Sequence, residues 1–386
     1  MRRSTDRIRT MHAGSLPRPD DLRAMLSDKA KGESVDPQAF EARVSSAVAE
    51  VVQKQIESGM DSVNDGELSK PNFTNYARTR LSGFEIRSMD ANAKPPQDIS
   101  ARDQQKFPGY FESRQGLFRR GPQLTQVVCN GPITYIGQQE TQADISRFKS
   151  VLANVSADIE PYLPAVAPGT IEHWLRNDYY PSDEAYLAAI ADAMHEEYKA
   201  ITDAGFVLQI DDPDLPDAWN IYTEMTVPEY RKFAQLRIEA LNHALRDIPQ
   251  EQTRLHVCWG SYHGPHEFDI PLRDIVDLIL SVKAETYSIE AANPCHEHEW
   301  EVWKDVKLPD GKTLIPGVVG HCTDFIEHPQ LVAQRLLRYA DLVGKENLQA
   351  GTDCGLGERV GHAEIVWAKF QSMRQGADMA SARLWG

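Results

Sequence analysis

The chain has 386 residues, of which 41% are hydrophobic and 25% are charged, as is typical of a soluble globular protein. Lys and Arg number 41 against 57 Asp and Glu, so the formal net charge is -16; with no basic stripe to offset it, we expect no nucleic-acid partner. The sequence has no apolar run near the roughly 18 residues of a membrane span, and no secretory signal begins it. Five cysteines without a Cys-x-x-Cys pair argue against a disulfide framework and favour a reducing, cytoplasmic location.

Strand-like and helix-like segments alternate along the whole chain. We predict strands at 8–14, 61–67, 127–132, 162–168, 205–212, 254–258, 285–290, 314–319 and 347–352, and helices from Asp20, from Asp36, and over 141–154, 182–203, 228–245, 271–282, 329–343 and 358–376. The strands are apolar without alternation, as expected for a parallel sheet that is covered on both faces. Because a barrel of this kind uses eight strands, one of these nine is wrong or accessory.

The positions of the reactive residues favour an α/β fold, a (β/α)8 TIM barrel, over residues 1–386. Such residues cluster where the predicted strands end: Ser15, Glu67, Asp211, His256, Cys258, Glu290 and Cys354. In these barrels the active site lies at the C-terminal mouth and is built from several strand ends. A doubly wound open sheet would also bind ligands at strand ends, but no Gly-x-Gly-x-x-Gly follows the first strand.

Residues 85–123 differ from the rest in their four prolines, many charges and scattered aromatic residues. We predict an insertion with little regular structure that forms a lid over the site, because long irregular segments in compact domains are usually lids or disordered. Its aromatic side chains could pack on the barrel; they are Phe107, Tyr110, Phe111 and Phe118.

The pair His256 and Cys258 points to a metal. Residues i and i+2 of a strand face the same side, so the imidazole and the sulfur would project together. Glu290 and Cys354 follow two later strands, and we predict that all four side chains converge on one zinc ion. Sulfur ligands make magnesium and calcium poor alternatives. If a substrate thiol displaced Glu290, the metal would stabilise it as a thiolate.

Other interpretations of these residues stay open. An isolated His-x-Cys on a strand is more often part of an ordinary core than a ligand pair. The local cluster Cys295–Glu299 (Cys-His-Glu-His-Glu) and the pair His321-Cys322 are rival metal sites. His321 is also a candidate catalytic residue.

Acidic and aromatic residues near the strand ends are candidate substrate contacts. Asp211 and Asp212 follow a buried strand, where they either cap a helix or bind a substrate ammonium group and accept a proton. The same alternatives apply to Glu67. Trp174 could stack on a flat ligand, although aromatic residues more often lie in the core.

Seven motifs in order along the chain resemble the catalytic C-terminal half of cobalamin-independent methionine synthase. They are Gly14-Ser15-Leu16-Pro17, Asp65-Gly66-Glu67, Gly131-Pro132-Ile133-Thr134, Gln209-Ile210-Asp211-Asp212-Pro213, His256-Val257-Cys258, Ser288-Ile289-Glu290 and Asp353-Cys354-Gly355-Leu356. The resemblance implies a barrel of the methionine synthase and uroporphyrinogen decarboxylase superfamily. It also implies zinc-dependent transfer of an alkyl group to a thiol.

The same match implies roles for individual residues. Zinc would be held by His256, Cys258, Glu290 and Cys354, and the amino-acid thiol, homocysteine in the family, by Ser15, Glu67 and Asp211. Trp174 would correspond to the family's pterin-stacking tryptophan. The expected partners are then a small-molecule thiol and a methyl or alkyl donor, such as 5-methyltetrahydrofolate, with the choice between monomer and homo-oligomer open.

Three departures from the family pattern concern the substrates. The usual Asp-Glu-Pro is Asp211-Asp212-Pro213, Trp259-Gly260 follows the His-x-Cys, and the 85–123 insertion is foreign to the synthases. An alternative hypothesis is therefore a zinc-dependent thiol alkyltransferase or lyase of the kind that opens epoxides with a thiol cofactor. A third is a zinc protein that binds a ligand without turnover.

Overall fold

The computed structural model describes residues 1–72, 75–88, 98–118, 125–357 and 359–386. Within them the strands are β1 (Arg9–Thr10), β2 (Ser62–Val63), β3 (Phe84–Ser88), β4 (Thr125–Cys129), β5 (Glu160–Val166), β6 (Arg176–Asn177), β7 (Val207–Asp211), β8 (Thr253–Val257), β9 (Thr286–Ile289), β10 (Thr313–Val319) and β11 (Gln349–Thr352). The α-helices are α1 (Asp20–Ala30), α2 (Pro37–Glu57), α3 (Asn75–Arg80), α4 (Ala101–Lys106), α5 (Pro108–Phe118), α6 (Gln138–Leu152), α7 (Pro168–Trp174), α8 (Asp183–Asp203), α9 (Asp214–Ile221), α10 (Val227–Ala244), α11 (Val276–Leu280), α12 (Pro329–Val343) and α13 (Ala363–Trp385). Short 3-10 helices lie at Gln250–Gln252, Leu272–Asp274, Glu297–Lys304 and Lys345–Asn347.

Eight strands form one parallel sheet in the order β1-β11-β10-β9-β8-β7-β5-β2. The two strands at the ends of this order meet as well, because the Asp61 N–H before β2 donates to the carbonyl of Thr10 in β1 (2.9 Å). The strands therefore follow one another around the circle in chain order. The predicted (β/α)8 barrel is confirmed, and the C-terminal ends of its strands share one mouth.

The ninth predicted strand, at 127–132, is the accessory one. Its counterpart β4 pairs antiparallel with β3 and parallel with β6 in a separate three-stranded sheet. The strand predicted at 61–67 is reduced to Ser62–Val63, so the acidic residues that follow it lie in a loop rather than in the sheet.

The barrel interior is polar below the mouth. Arg254 on β8 is fully buried, and its guanidinium lies 3.4 Å from Gln209 on β7, Ser62 on β2 and Glu160 on β5. β7 is the neighbouring strand, but β5 and β2 lie further around the barrel, so Arg254 reaches across part of the interior. His256 is two residues further along β8 and faces the same way, one layer closer to the mouth.

Local signals explain most of the outer helices. The N-cap predicted at Ser182 is confirmed, because its hydroxyl accepts from the Ala185 N–H (3.3 Å). Asp36 caps α2 in the same way, accepting from the Gln38 N–H (3.0 Å). The prediction of one helix over 271–282 was wrong: Pro271 is followed by a 3-10 turn, and α11 is only five residues long. The last helix begins at Ala363 rather than at 358.

The prediction of little regular structure at 85–123 was wrong for the described part of that segment. It contains most of β3 and the helices α4 and α5, while 89–97 and 119–124 lie outside the described residues. Phe107, Tyr110 and Phe111 are half-buried, and the rings of Tyr110 and Phe111 meet edge to face with centroids 5.0 Å apart. The side chain of Phe118 lies outside the described residues.

Helix α4 is docked beside the mouth by Arg102 and Asp103. The Arg102 guanidinium lies 3.7 Å from the Trp219 ring centroid and donates to carbonyls at the end of α9, including that of Tyr222 (2.9 Å). Asp103 accepts from the hydroxyl of Tyr262, which belongs to the loop that follows β8. These contacts place α4 over the chain that leaves the predicted metal pair, as a lid would require.

Replacing Asp61 by Ala should unfold the barrel more easily, because this carboxylate ties β1 to β2. It accepts from the Thr10 N–H (2.9 Å) and from the Arg7 guanidinium (2.6 Å) while largely buried. Breaking a buried charged pair costs about 3 kcal/mol. We expect a loss of that order in urea unfolding followed by circular dichroism. Asp28→Ala, at an exposed carboxylate 3.8 Å from Lys31, is the control and should change stability little; equal effects of the two substitutions would contradict the assignment.

Candidate metal centre

Three side chains of metal-ligand type converge at the mouth of the barrel. The ligand atoms of His256, Cys258 and Cys354 all lie within 4.8 Å of one another, and the two sulfurs are 3.7 Å apart. His256 lies near the end of β8, Cys258 follows that strand directly, and Cys354 follows β11. Residues distant in sequence are thus brought together by the closure of the barrel.

The two thiols are joined by a hydrogen bond from Cys258 to Cys354, with the sulfurs 3.7 Å apart. This bond lowers the pKa of Cys354 well below its ordinary value, and His256 and His321 act in the same direction against the effect of burial. The same bond, together with burial, raises the pKa of Cys258 well above its ordinary value. Of the two thiols, Cys354 is therefore the more readily deprotonated, and the thiolate is the form in which cysteine binds metals.

The imidazole of His256 offers a free ligand atom. Its Nδ1 lies 3.2 Å from the Ser288 hydroxyl on β9, whereas its buried Nε2 has no hydrogen-bond partner in the described part of the chain. A buried polar atom without a partner is uncommon and calls for an explanation. One nitrogen and two sulfurs are the donors that zinc prefers, so these residues fit the metal that the sequence predicted.

Glu290 lies beside this group but outside it. Its two carboxylate oxygens accept from the Trp259 N–H (2.8 Å) and from Asn293 Nδ2 (3.0 Å). Its ligand atom groups instead with those of His321 and Asp353, all within 4.8 Å of one another. The structure thus brings three of the four predicted ligands together and holds the fourth, Glu290, on hydrogen bonds next to them.

His321 follows β10 and is fully buried at the mouth. Its Nε2 lies 3.0 Å from the Ser261 hydroxyl and 3.2 Å from the sulfur of Cys322. Burial by itself would lower the pKa of His321, but the hydrogen bond with Cys322 and the negative charges of Cys354 and Glu290 raise it well above its ordinary value. His321 therefore holds its proton more strongly than an exposed histidine does.

The rival cluster at Cys295–Glu299 does not gather around a common point. His296 lies between two carboxylates, with Nε2 3.0 Å from Asp269 and Nδ1 2.9 Å from Glu299, whereas the Cys295 sulfur is exposed and lies 3.6 Å from the Pro265 carbonyl. Burial alone would lower the pKa of His296. The hydrogen bonds that its ring donates to the two carboxylates outweigh burial and raise the pKa to about 10. This cluster is a buried ion-pair network.

The predicted substrate residues Ser15 and Glu67 lie on the loops after β1 and β2. Ser15 packs against the loop of Cys354, since a Cβ at Gly355 would lie 2.6 Å from its hydroxyl oxygen. Glu67 is buried and has a positive φ of 57°, a conformation that non-glycine residues adopt mainly where function requires it. Burial raises the pKa of Glu67 to about 8, with Asp211 adding to the effect and Lys70 opposing it.

Asp211 ends β7, level with His256 on the neighbouring strand. Its carboxylate accepts from Gln209 Nε2 (2.8 Å), and burial raises its pKa to about 6 while His256 opposes the rise. The neighbouring Asp212 points elsewhere, accepting from the Thr170 hydroxyl (3.2 Å). Asp211 and Glu67 interact electrostatically, so they border the same space near the metal group.

Trp174 ends α7 and is half-buried. Its indole N–H donates to Asp214 (3.2 Å), which follows β7. The other carboxylate oxygen of Asp214 has no hydrogen-bond partner within the described ranges, and neither nitrogen of the buried His173 has one. Trp174 therefore lies at the edge of a buried polar region beside the mouth, separate from the thiol pair.

Two residues that hold Glu290 in place were not predicted. Asp353 accepts from the N–H groups of Ala291 (2.8 Å) and Ala292 (2.7 Å) and so fixes the loop that follows Glu290. The Trp259 indole donates to the Ile270 carbonyl (2.8 Å) and stacks on His296 with centroids 4.1 Å apart. The only sequence clue was their position next to Cys354 and Cys258.

A closed (β/α)8 barrel with two cysteines and a histidine at its mouth defines a class of barrel enzymes with thiolate-ligated metal sites. Residues 129–379, well over half of the chain, match the family described as "Cobalamin-independent synthase, Catalytic domain". The chain belongs to this family, in agreement with the resemblance found in its sequence.

Similar proteins span nearly the same length. A methionine synthase of Thermococcus kodakarensis is 23% identical over 373 residues, covering 96% of this chain and 93% of its own. One of Sulfolobus acidocaldarius is 26% identical over 347 residues, covering 89% of this chain and 84% of its own. The barrel also superposes on a B12-independent methionine synthase of Shewanella sp. W3-18-1 in complex with selenomethionine, with a TM-score of 0.73, 19% identity and coverage of 98% of this chain and 99% of that one. The described residues include no helix long and apolar enough to span a membrane.

Replacing Glu67 by Gln should change how stability depends on pH. Because burial raises the pKa of Glu67 to about 8 in the folded protein, above the roughly 4.3 of an unfolded chain, its ionisation destabilises the fold increasingly as the pH rises from about 4 to about 8. The wild type should therefore lose stability relative to E67Q across that range. Urea unfolding of the metal-free protein at several pH values measures this, and exposed Glu57→Gln is the control; parallel wild-type and E67Q curves would refute the assignment.

Proposed function

We propose that this protein is a zinc-dependent methyltransferase that moves a methyl group to the thiol of homocysteine and so forms methionine. The observation that carries the proposal is the meeting of His256, Cys258 and Cys354 within 4.8 Å, with a buried imidazole nitrogen that has no hydrogen-bond partner in the described residues. The names of the relatives, methionine synthases, agree with this activity.

His256, Cys258 and Cys354 would hold the zinc ion, and Glu290 would be the exchangeable fourth ligand. When bound, zinc supplies a Lewis acid that keeps a thiol deprotonated near neutral pH. Two cysteine thiolates and a neutral imidazole would balance the charge of the ion, so one anion in the fourth position would leave the site with a single net negative charge. Glu290 and the thiolate of the acceptor are alternatives for that position.

The acceptor amino acid would be bound by residues at the C-terminal ends of three barrel strands, β1, β2 and β7. Glu67 and Asp211 would bind its ammonium group, since a cation beside two buried carboxyls stabilises their charged forms. Ser15, against the loop of Cys354, would contact the remainder of the amino acid. This arrangement directs the thiol of a bound homocysteine toward the two cysteine sulfurs.

The methyl donor would enter from the side of Trp174. Its half-buried ring offers a face for a flat ring system such as the pterin of 5-methyltetrahydrofolate. His321, whose ligand atom lies within 4.8 Å of that of Glu290, is the candidate that gives a proton to the leaving group. Methyl transfer forms a carbon–sulfur bond and breaks the bond to the donor atom, which takes up that proton.

Zinc content and product formation test the proposal together. Purified wild type should contain about one zinc per chain and form methionine from homocysteine and 5-methyltetrahydrofolate. Cys354→Ser should lose most of the metal and activity, because it removes a thiolate ligand. Cys129→Ser, at a buried thiol in the accessory sheet, is the matched control and should retain both. Full zinc and full activity in Cys354→Ser would refute the ligand set, whereas turnover of a small thiol with an epoxide, and none with the folate, would favour the alternative substrate class.

Asp211→Asn should weaken acceptor binding. We expect KM for homocysteine to rise by roughly tenfold or more, since the neutral amide can accept from the ammonium group but lacks the negative charge that attracts it. KM for 2-mercaptoethanol, which has no ammonium group, should not change. Asp212→Asn is the neighbouring control and should leave KM for homocysteine near its wild-type value. The same rise for both thiols would show that Asp211 does not act through the ammonium group.

A further inference from the structure

We propose that Asn293 is a positioning residue, whose side-chain amide sets how readily Glu290, the exchangeable fourth ligand of the proposed function, leaves the metal for a hydrogen-bond cradle. The cradle consists of the Asn293 side-chain amide and the Trp259 backbone N–H. This inference rests on the proposed zinc site and adds a positioning residue to it. It explains how one site can hold a metal firmly and still leave a position for a substrate thiol.

The cradle is occupied in the structure. Both oxygens of the Glu290 carboxylate accept hydrogen bonds, from Trp259 N–H at 2.8 Å and from Asn293 Nδ2 at 3.0 Å. The side chain is 1% exposed, so water does not replace these donors. Glu290 is absent from the group formed by the other three proposed ligands. Glu290 therefore occupies a position outside that group in which both of its carboxylate oxygens are hydrogen-bonded.

Asn293 is oriented to donate. Its Oδ1 accepts from the Cys295 N–H (3.1 Å), which requires that Nδ2 be the end directed at Glu290. The Asn293 carbonyl accepts in turn from the N–H groups of His296 and Glu297, both at 2.8 Å. The amide is therefore part of a tight turn and does not need to reorganise when Glu290 arrives or leaves.

The second donor is held as firmly. The Trp259 indole is fixed by its hydrogen bond to the Ile270 carbonyl and by stacking on His296. The imidazole of His321 lies close as well, because its ligand atom and that of Glu290 are within 4.8 Å. Two rigid N–H donors make the cradle a good alternative to a metal for an anionic side chain.

Removing one donor should shift Glu290 toward the metal. A hydrogen bond to a charged group changes an equilibrium by roughly tenfold or more. In Asn293→Ala, Glu290 should therefore compete more strongly for the fourth metal position. Zinc should bind about tenfold more tightly and thiols about tenfold more weakly, a pair of opposite changes that a general loosening of the site would not produce.

The experiment measures zinc affinity by chelator competition and thiol affinity by titrating homocysteine and 2-mercaptoethanol into the zinc-loaded protein. X-ray absorption at the zinc edge reports the sulfur neighbours, which should rise from two to three as a thiol binds. The wild type should reach this change at lower thiol concentration than Asn293→Ala. Asn293→Ser is a second variant should the alanine protein fold poorly, because serine can still accept from the Cys295 N–H.

Two controls test whether the effect depends on the contact between Asn293 and Glu290. Asn177 in the accessory sheet has the same local arrangement, its Oδ1 accepting from the Tyr179 N–H (3.1 Å), but its Nδ2 donates to the Tyr180 carbonyl (2.9 Å) rather than to a carboxylate. Asn177→Ala should leave both affinities unchanged. In a Glu290→Gln background, Asn293→Ala should lose its effect, because the neutral amide is a poor zinc ligand.

Equal zinc and thiol affinities in wild type and Asn293→Ala would overturn the inference, and so would an Asn293→Ala effect of the same size in Glu290→Gln. The methionine assay tests the proposed reaction separately from this inference. If the affinities depend on Asn293 but no methionine forms, the proposed reaction is rejected and the two positions of Glu290 are retained. If methionine forms but the affinities do not depend on Asn293, the role of Asn293 is rejected and the proposed reaction is retained.

Discussion

The register of β7, β8 and β9 is the constraint on which the mouth of this barrel depends. Asp211 is level with His256, and His256 is level with Ser288. A slip of one residue would turn every side chain of β8 to the opposite face, sending His256 toward the helices and Leu255 into the barrel. The contacts of Arg254 across the interior oppose such a slip, so the polar layer below the mouth supports the metal centre above it.

Burial of charge is the second physical theme of the site. The mouth encloses carboxyl groups whose pKa values are raised by burial, to about 8 for Glu67, about 6 for Asp211 and about 7 for Asp353. A fold optimised for stability alone would place apolar residues there. Cations relieve this cost, whether a substrate ammonium group or a metal ion. The same groups that destabilise the empty mouth therefore contribute binding energy when it is filled.

The sequence predicted the features that depend on local pattern and on strand ends. The alternation of apolar strands with helices predicted the barrel, and the i, i+2 spacing of His256 and Cys258 predicted that their side chains point the same way. Prediction from the sequence failed where contacts between segments distant in the chain decide the structure. The strand at 127–132 has the same apolar pattern as a barrel strand, yet β4 pairs with β3 in a separate sheet. Helix α4 has few apolar residues, because it docks through Arg102 and Asp103 rather than through an apolar face.

The placement of Glu290 could not be predicted for a related reason. Its distance from the sulfurs is set by loops rather than by strand register. A carboxylate at the end of β9 can reach either toward the barrel axis or back along its own loop, and the donors that decide between these are Trp259 and Asn293. Both belong to irregular segments, which carry no periodicity.

The residues around Trp259 form a continuous set of contacts from α4 to the candidate metal centre. The ring of Trp259 stacks on His296, which shares the carboxylate of Asp269 with His266 (2.8 Å). His266 in turn stacks on Tyr262, the residue that donates to Asp103 of α4. Each step is a stacked ring pair or a hydrogen bond with a charged partner. The Trp259 N–H that holds Glu290 therefore belongs to the same network of contacts as the surface on which α4 docks, and Asn293, the other donor, joins that network through the hydrogen bond of its carbonyl with the His296 N–H.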